Sequence, residues 1–217
     1  MSAPMKTRDR IIHASLELFN QQGERNVTTN HIAAHLGISP GNLYYHFRSK
    51  SDIIYELFLG LDSMVREFLV LPTDRQLTLK DKGEYLNAIF ESMWEYRFFH
   101  RDLEHLLEID ERLNTTYRGF VRHSMNEGNK VYRGLCDAGF LSMTEAQIES
   151  HTINMWVISS SWIAFLSTSG LFGDEITRSS LRKGISQIIE VERQYWVVGV
   201  MDELDAWEEE FMSAPEE

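Results

Sequence analysis

Residues 39 to 50 combine small, amide, aromatic and basic side chains that could contact a nucleic acid. Ser39, Pro40 and Gly41 are small enough to let the backbone approach another surface closely. The Asn42 amide can hydrogen-bond to base edges, and the hydroxyl, imidazole and ammonium groups that follow can bind phosphate oxygens. These candidate phosphate contacts are Tyr44, Tyr45, His46 and Lys50. The segment therefore predicts a surface that binds double-stranded DNA.

A compact helical corner, with Tyr44 and Tyr45 half-buried, is the alternative for the same residues. Adjacent exposed aromatic residues are a poor choice for a face that meets only solvent. The residue types favour the contacting surface, but the pattern alone leaves both interpretations open.

Two short helices joined by a tight turn are predicted to carry these groups. Ile32 and Leu36 mark the apolar face of the first helix, and Gly37 follows where a helix C-terminus favours positive φ. Ser39 is a good N-cap, and Pro40 suits the first position of the second helix. A helix, a short glycine-containing turn and a helix form a helix-turn-helix.

The start of the first of these helices is a second candidate contact. Thr28 or Thr29 is expected to cap it, and a helix N-terminus is a natural phosphate site. Asn30 lies in its first turn and could approach a base. An earlier helix, over residues 6 to 22, begins with basic residues that form either an arm toward DNA or an ordinary solvated terminus. These basic residues are Lys6, Arg8 and Arg10.

Residues 7 to 60 resemble the DNA-binding domain of the TetR/AcrR family of transcriptional regulators. The matching features are TT-x-x-IA-x-x-LG-x-S and LYYHF-x-x-K, preceded by A-x-x-LF-x-x-x-G from Ala14 to Gly23. The resemblance implies a homodimeric repressor that is released from a pseudo-palindromic operator by a small apolar or aromatic effector. The second helix opens with Pro-Gly-Asn, which offers fewer base-reading side chains than a DNA-reading helix is expected to carry.

The charge distribution agrees with a DNA-binding N-terminal unit. The formal net charge is −12, which by itself argues against nucleic acid as a partner. Residues 1 to 52, however, hold six Lys or Arg and four Asp or Glu, whereas the remainder holds 15 and 29. A slightly basic head on an acidic body predicts modest non-specific affinity, with specificity coming from a dimer.

The predicted fold class is all-α. Apolar residues recur at helical spacing along the chain, and no alternating strand pattern of useful length appears. We expect a three-helix DNA-binding domain over residues 1 to 52 and a larger helical effector-binding and dimerisation domain over residues 53 to 217. A long helix from Ser51 should link the two, and the last helical region could continue to Met212 with a kink at Gly199. The final SAPEE segment is expected to be disordered.

The aromatic residues of the body predict either a cavity for an apolar or aromatic effector or plain core packing. Tryptophan often carries a polar group into a pocket. The candidate effector contacts are Trp94, Phe120 and Trp156.

A homodimer could use two late helices. The helix over residues 144 to 169 has small residues at 159 to 161, and the next has the aliphatic stripe Leu181, Ile185 and Ile188. The resemblance supports an interface here, because the last two long helices usually form it in the TetR family. Packing within one chain is the alternative. A symmetric dimer would place its DNA-reading helices about 34–36 Å apart.

Enzyme and metal chemistry are not expected. No nucleophile elbow, phosphate loop or dinucleotide fingerprint appears, so we predict no catalysis and no cofactor. His100, Glu104, His105 and Glu108 could bind a divalent metal, but their spacing is not that of a metal site, and a solvated charged face is favoured. A helical binding or adaptor protein without DNA binding is the competing class.

A cytoplasmic protein without a membrane partner is expected. The N-terminal residues lack the apolar stretch of a secretory signal, and no apolar run approaches the roughly 18 residues of a membrane span. The single cysteine, Cys136, fits a reducing compartment and a small half-buried apolar role.

Overall fold

The computed structural model of the protein describes residues 5–173 and 175–214. Helices joined by short turns fill this part of the chain, and its extended pairings are isolated bridges such as Leu141 with Trp196. The helices are α1 Thr7–Gln22, α2 Thr29–Leu36, α3 Pro40–His46, α4 Lys50–Phe68, α5 Leu79–Glu95, α6 Arg97–Ile109, α7 Glu111–Asp137, α8 Glu145–Ser169, α9 Arg178–Glu192 and α10 Met201–Ser213. The all-α prediction is confirmed. Within these residues, no helix has both the length and the apolar content needed to cross a lipid bilayer.

Local capping defines the helices of the head as the sequence predicts. Of the two threonines, Thr28 is the N-cap of α2, and its hydroxyl accepts a hydrogen bond from the His31 backbone N–H at 3.2 Å. Gly37 ends α2 with φ of 64°. The Ser39 hydroxyl caps α3 by accepting from the Asn42 N–H at 3.2 Å. These contacts set the angle at which α3 leaves the turn.

Helix α4 joins the head to the body. It runs from Lys50 to Phe68, through the predicted domain boundary at residue 52, so the two parts share one continuous helix. Arg112 of α7 fastens it by an ion pair to Asp52 at 3.1 Å, with its guanidinium 3.9 Å from the centre of the Tyr55 ring. The division into two domains remains a prediction.

The aliphatic stripe of α9 lies inside the chain's own core. Leu181, Ile185 and Ile188 are completely buried, and they pack with residues of α5, α7 and α8. The interpretation of this stripe as a dimer surface is therefore wrong, and packing within one chain is correct for it.

The C-terminal segment does not continue α9. After Glu192 the chain makes two 3₁₀ turns around an extended stretch, where Val197 N–H donates to the Phe140 carbonyl at 3.0 Å. Helix α10 then turns back onto α5, where a Cβ added to Gly83 would lie 2.7 Å from the Trp207 indole nitrogen. The tail predicted to be disordered is SAPEE, but its first residue, Ser213, is the last residue of α10. Residues 215–217 of this tail lie outside the described residues.

A polar cluster is buried where α5, α7, α8 and α9 meet. The Lys82 ammonium lies 2.5 Å from a Glu192 carboxylate oxygen, and the Tyr132 hydroxyl donates to the same oxygen. His151 Nε2 approaches that oxygen to 3.3 Å. Burial by itself would raise the pKa of Glu192, but the Lys82 charge and the hydrogen bonds from its neighbours hold the pKa below its usual value. The carboxylate is therefore charged and depends on these partners.

We predict that Lys82→Met destabilises the protein by about 3–5 kcal/mol, because Glu192 is left as a buried carboxylate without its countercharge. Urea unfolding followed by circular dichroism measures the free energy of unfolding. Lys80→Met is the matched control, since the Lys80 side chain is 86% exposed and pairs with the exposed Glu84 across one turn. Equal stability of the two variants would contradict a structural role for the buried pair.

Candidate DNA-binding surface and ligand cavity

Helix α3 presents its polar and aromatic face to solvent. Leu43 is completely buried and Phe47 almost so, and they anchor the helix on the head. The residues on its outward side are exposed, and the Tyr45 side chain is 86% accessible. Tyr45 is therefore not half-buried, as the compact helical corner would require. The exposed candidates of this segment are Ser39, Pro40, Gly41, Asn42, Tyr44 and Tyr45.

The N-terminus of α2 meets α3 at one point. The Thr29 hydroxyl lies 3.2 Å from the Tyr44 hydroxyl, so these two candidate phosphate contacts form a pair. Asn30 is exposed in the first turn of α2, and the His46 ring packs edge-on against Tyr45 with 5.1 Å between centroids. The hydroxyls of Thr28 and Ser39 already accept hydrogen bonds as helix caps. The two helices therefore carry most of the predicted contacts on neighbouring positions.

Lys50 faces inward. Its ammonium donates to the backbone carbonyls of Glu24 and Val27 at 3.0 and 3.1 Å and forms an ion pair with the Glu24 carboxylate at 2.5 Å. Glu24 is 1% exposed. In this position Lys50 fastens the turn between α1 and α2 to α4, and its predicted phosphate contact would require these bonds to break.

Other cations of the head differ in availability. Arg8 pairs with Glu56 at 2.7 Å, and the Arg10 guanidinium donates to the Leu36 carbonyl at 3.4 Å, so both brace helices rather than form a free arm. Arg48, directly after Phe47, is exposed and has no ion-pair or hydrogen-bond partner among the described residues. Arg48 was not among the predicted phosphate contacts, although the LYYHF-x-x-K motif contains it.

A cavity of about 140 Å³ lies in the body between α4, α5, α6, α7 and α8. Phe120 and Trp156 line it, with 5.6 Å between their ring centroids. Trp94 does not line it. The Trp94 ring lies in an outer cleft, stacked under the guanidinium groups of Arg97 and Arg178 at 4.3 and 5.0 Å. Two of the three predicted effector contacts are thus brought together.

Two polar side chains reach this cavity without a protein partner. Both ring nitrogens of His100 and the Ser124 hydroxyl are buried and make no hydrogen bond within the described residues. Burial lowers the pKa of His100 to about 4, although the Ser160 backbone opposes the shift, so the ring is neutral near pH 7. The Ser160 backbone interacts with one His100 nitrogen, so the groups left for a ligand are the other His100 nitrogen and the Ser124 hydroxyl.

The predicted solvated face is wrong for His100. Glu104 and Glu108 are exposed, but His100 lies on the cavity side of α6. The helix is interrupted at Asp102, where φ is −109° and ψ is 15°, and this break separates His100 from the later residues. Within residues 5–173 and 175–214, no group of three or more His, Cys, Asp or Glu side chains could hold a metal ion. The adjacent Phe98 and Phe99 were the available signal for burial.

A helix-turn-helix head continuous with a helical body defines a class of DNA-binding regulators. Residues 11–57 match the family described as bacterial regulatory proteins, tetR family, and residues 61–197 match the TetR family of bacterial transcriptional repressors. The chain belongs to the TetR family. The resemblance inferred from the head is confirmed, and membership extends through the body.

Individual relatives agree with this assignment. A TetR-family transcriptional regulator of Marinobacter aquaeolei shares 46% identity, covering 95% of this chain and 99% of that one, with a TM-score of 0.86. A TetR-family regulatory protein of Rhodococcus shares the fold at 18% identity and a TM-score of 0.61, with 87% of this chain and 98% of that one covered. An HTH-type transcriptional regulator of Staphylococcus aureus is 28% identical over 105 residues, which are 48% of this chain and 55% of that protein. The chain spans about half the length of the curated relatives it matches.

Lys50 and Arg48 should behave differently when each is replaced by Met. Lys50→Met should reduce the free energy of unfolding by about 1–3 kcal/mol, because Glu24 loses its partner. It should leave the slope of log binding constant against log salt unchanged. Arg48→Met should leave stability unchanged and reduce that slope by about one phosphate contact.

Thermal unfolding and DNA titrations at several salt concentrations measure both effects. If Lys50→Met reduced the salt slope and Arg48→Met left it unchanged, Lys50 and not Arg48 would be the residue that contacts phosphate.

Proposed function

We propose that the protein is a homodimeric, sequence-specific transcriptional repressor that leaves its operator when a small effector fills the cavity. The observation that carries the proposal is the exposed outward face of α3 on a correctly capped helix-turn-helix. Such a protein acts by binding DNA and not by catalysis, and it acts in the cytoplasm. Membership in the TetR family supports it.

The contacts with DNA follow from the arrangement of the head. Pro40 and Gly41 are small residues, so the start of α3 can approach the DNA closely. The helix can then enter the major groove and bring Asn42 to a base edge. The Asn42 amide is exposed and forms no side-chain hydrogen bond among the described residues. The paired hydroxyls of Thr29 and Tyr44 then face the phosphate backbone. Further contacts would come from Asn30, Tyr45, His46 and Arg48.

Helix α8 carries an uncovered apolar face that suits a second copy of the chain. Ile153, Val157 and Phe165 recur at helical spacing and are 55%, 53% and 39% exposed. Leu171 and Phe172 extend the exposed apolar surface beyond the end of the helix. A contiguous exposed apolar surface of this kind marks an interaction site. Pairing across it would supply the two heads needed for a pseudo-palindromic operator.

Two helices connect the cavity with the head. Helix α4 contributes Leu61 and Val65 to the cavity and begins inside the head at Lys50. Helix α6 carries His100 and begins at a contact with α1, where the Phe98 N–H donates to the Asn20 side chain at 3.0 Å. An effector that favours one arrangement of these helices would change the spacing of the heads. It can do so only through different affinities for the two arrangements.

Selection of bound sequences from a random double-stranded DNA pool tests the proposed function. After removal of bound small molecules, we expect an enriched pseudo-palindrome whose half-sites lie about one helical turn apart. Enrichment of no sequence by the folded, ligand-free dimer would favour the adaptor alternative.

Asn42→Ala should relax the preference at one base pair of each half-site by about 1–3 kcal/mol, because a bidentate amide contact is lost. Fluorescence anisotropy on the selected operator and on single-base variants measures this discrimination. Asn126→Ala, which removes an exposed amide from α7, is the control. A uniform loss of affinity for all sequences would assign Asn42 to positioning instead.

Val157→Asp should convert the dimer into a monomer, because a charge would be buried in the apolar contact between the two copies. Sedimentation equilibrium gives the mass, and operator titration should show a parallel loss of affinity. Val198→Asp is the matched control, because Val198 is 88% exposed and lies outside α8. A dimer that persists in Val157→Asp would exclude this face of α8.

A further inference from the structure

The surface of the cavity is mostly apolar, although several hydroxyl-bearing side chains, Lys82 and His100 also line it. Leucine, valine, methionine and phenylalanine supply 12 of its 25 lining residues. Buried polar groups in folded proteins nearly always have a partner, so an unpartnered group beside an open space calls for one. Ser124 is 7% exposed, and its hydroxyl has no partner among the described residues. The His100 ring makes no hydrogen bond of good geometry there, and only the Ser160 backbone interacts with it, which leaves one ring nitrogen for a ligand. These groups mark where a ligand makes polar contact.

The wall carries no net charge. Lys82 lines the cavity, but Glu192 neutralises it at 2.5 Å. His100 is uncharged, and burial raises the pKa of Tyr117 to about 12, so this phenol is uncharged as well. A carboxylate ligand would meet an ammonium that is already paired, and an ammonium ligand would find no free anion. Burial of an unpaired charge is strongly unfavourable.

Size and hydrogen-bonding chemistry narrow the ligand further. A cavity of about 140 Å³ is close in volume to an engineered apolar cavity of roughly 150 Å³ that binds benzene. A neutral imidazole has one N–H donor and one acceptor nitrogen. A hydroxyl group both donates and accepts, so it can satisfy whichever His100 nitrogen faces the cavity.

We propose that the effector is a small, uncharged molecule with an apolar frame of about one ring and a hydroxyl group that hydrogen-bonds to His100. Phenols and short alcohols belong to this chemical class. This inference rests on the effector-responsive body in the proposed function, and it adds the ligand's class and its anchoring residue. Ser124 is left for a second polar atom or a water molecule.

Three probes with the same frame test the proposal by isothermal titration calorimetry on the full-length, ligand-free protein. They are 4-methylphenol, toluene and 4-methylbenzoate, which differ in carrying a hydroxyl, no polar group and a negative charge. We expect 4-methylphenol to bind about 10-fold or more tightly than toluene, because one buried hydrogen bond is gained and an unpartnered group is satisfied. The 4-methylbenzoate anion should bind least.

Variants assign the preference to His100. His100→Leu should bind toluene at least as well as the parent protein and lose the preference for 4-methylphenol. His105→Leu, on the same helix but outside the cavity lining, should keep it. Ser124→Ala should also keep it. Circular dichroism and toluene binding show that each variant is folded with an intact cavity.

Several results would overturn the proposal. These are equal binding of toluene and 4-methylphenol, preference for the anion, absence of binding by all three probes, or a hydroxyl preference that survives His100→Leu. Operator release is measured separately by anisotropy. Binding of 4-methylphenol that depends on His100 but does not release DNA would support the ligand class and contradict the release mechanism, so the two failures are distinguishable.

Discussion

The burial of α4 at both of its ends constrains the relation between head and body. Ile53 and Leu57 pack in the core of the head, whereas Leu61 and Val65 continue along the same helix to the cavity. An α-helix satisfies its backbone hydrogen bonds internally, so bending it sharply requires a proline, a bulge or an inserted group. Lys50–Phe68 contains no proline and runs as one continuous helix. Any rearrangement at the cavity must therefore be shared by the head or resisted by it.

The interior treats its polar groups in two different ways. The Glu192 oxygen near Lys82 has three polar neighbours, which suits a group whose role is to hold helices together. His100 and Ser124 instead lie beside an open space without a partner among the described residues. Glu192 Oε2 and the His151 ring nitrogens also lack a hydrogen bond of good geometry, but among such buried atoms of the described residues those of His100 and Ser124 line the cavity.

Local chemistry explains which parts of the fold the sequence could predict. The cap at Ser39, the positive φ of Gly37 and the start of α3 at Pro40 depend on residues within a few positions of each other. The inward direction of Lys50 depends on Glu24, which lies 26 positions earlier, and helical periodicity carries no information about such a pair. The DNA contacts themselves remain predictions.

Two errors have a common physical origin. The α9 stripe was correctly identified as apolar, but periodicity marks a face that will be buried without saying whether the same chain or a second copy covers it. His100 was placed by assuming an uninterrupted helix, and the break at Asp102 removed the basis for that spacing. In each case the missing information is how the helices pack against each other in the folded chain.

The length of α4 can turn a small change at the cavity into a larger displacement of the head. Its 19 residues span roughly 28 Å at about 1.5 Å per residue. A tilt of about 5° imposed at one end of such a rod displaces the other end by roughly 2.4 Å, and the two heads of a symmetric dimer would move by that amount in related directions. A ligand with only a few heavy atoms that tilts α4 at the cavity could thus displace the DNA-binding head by a larger distance.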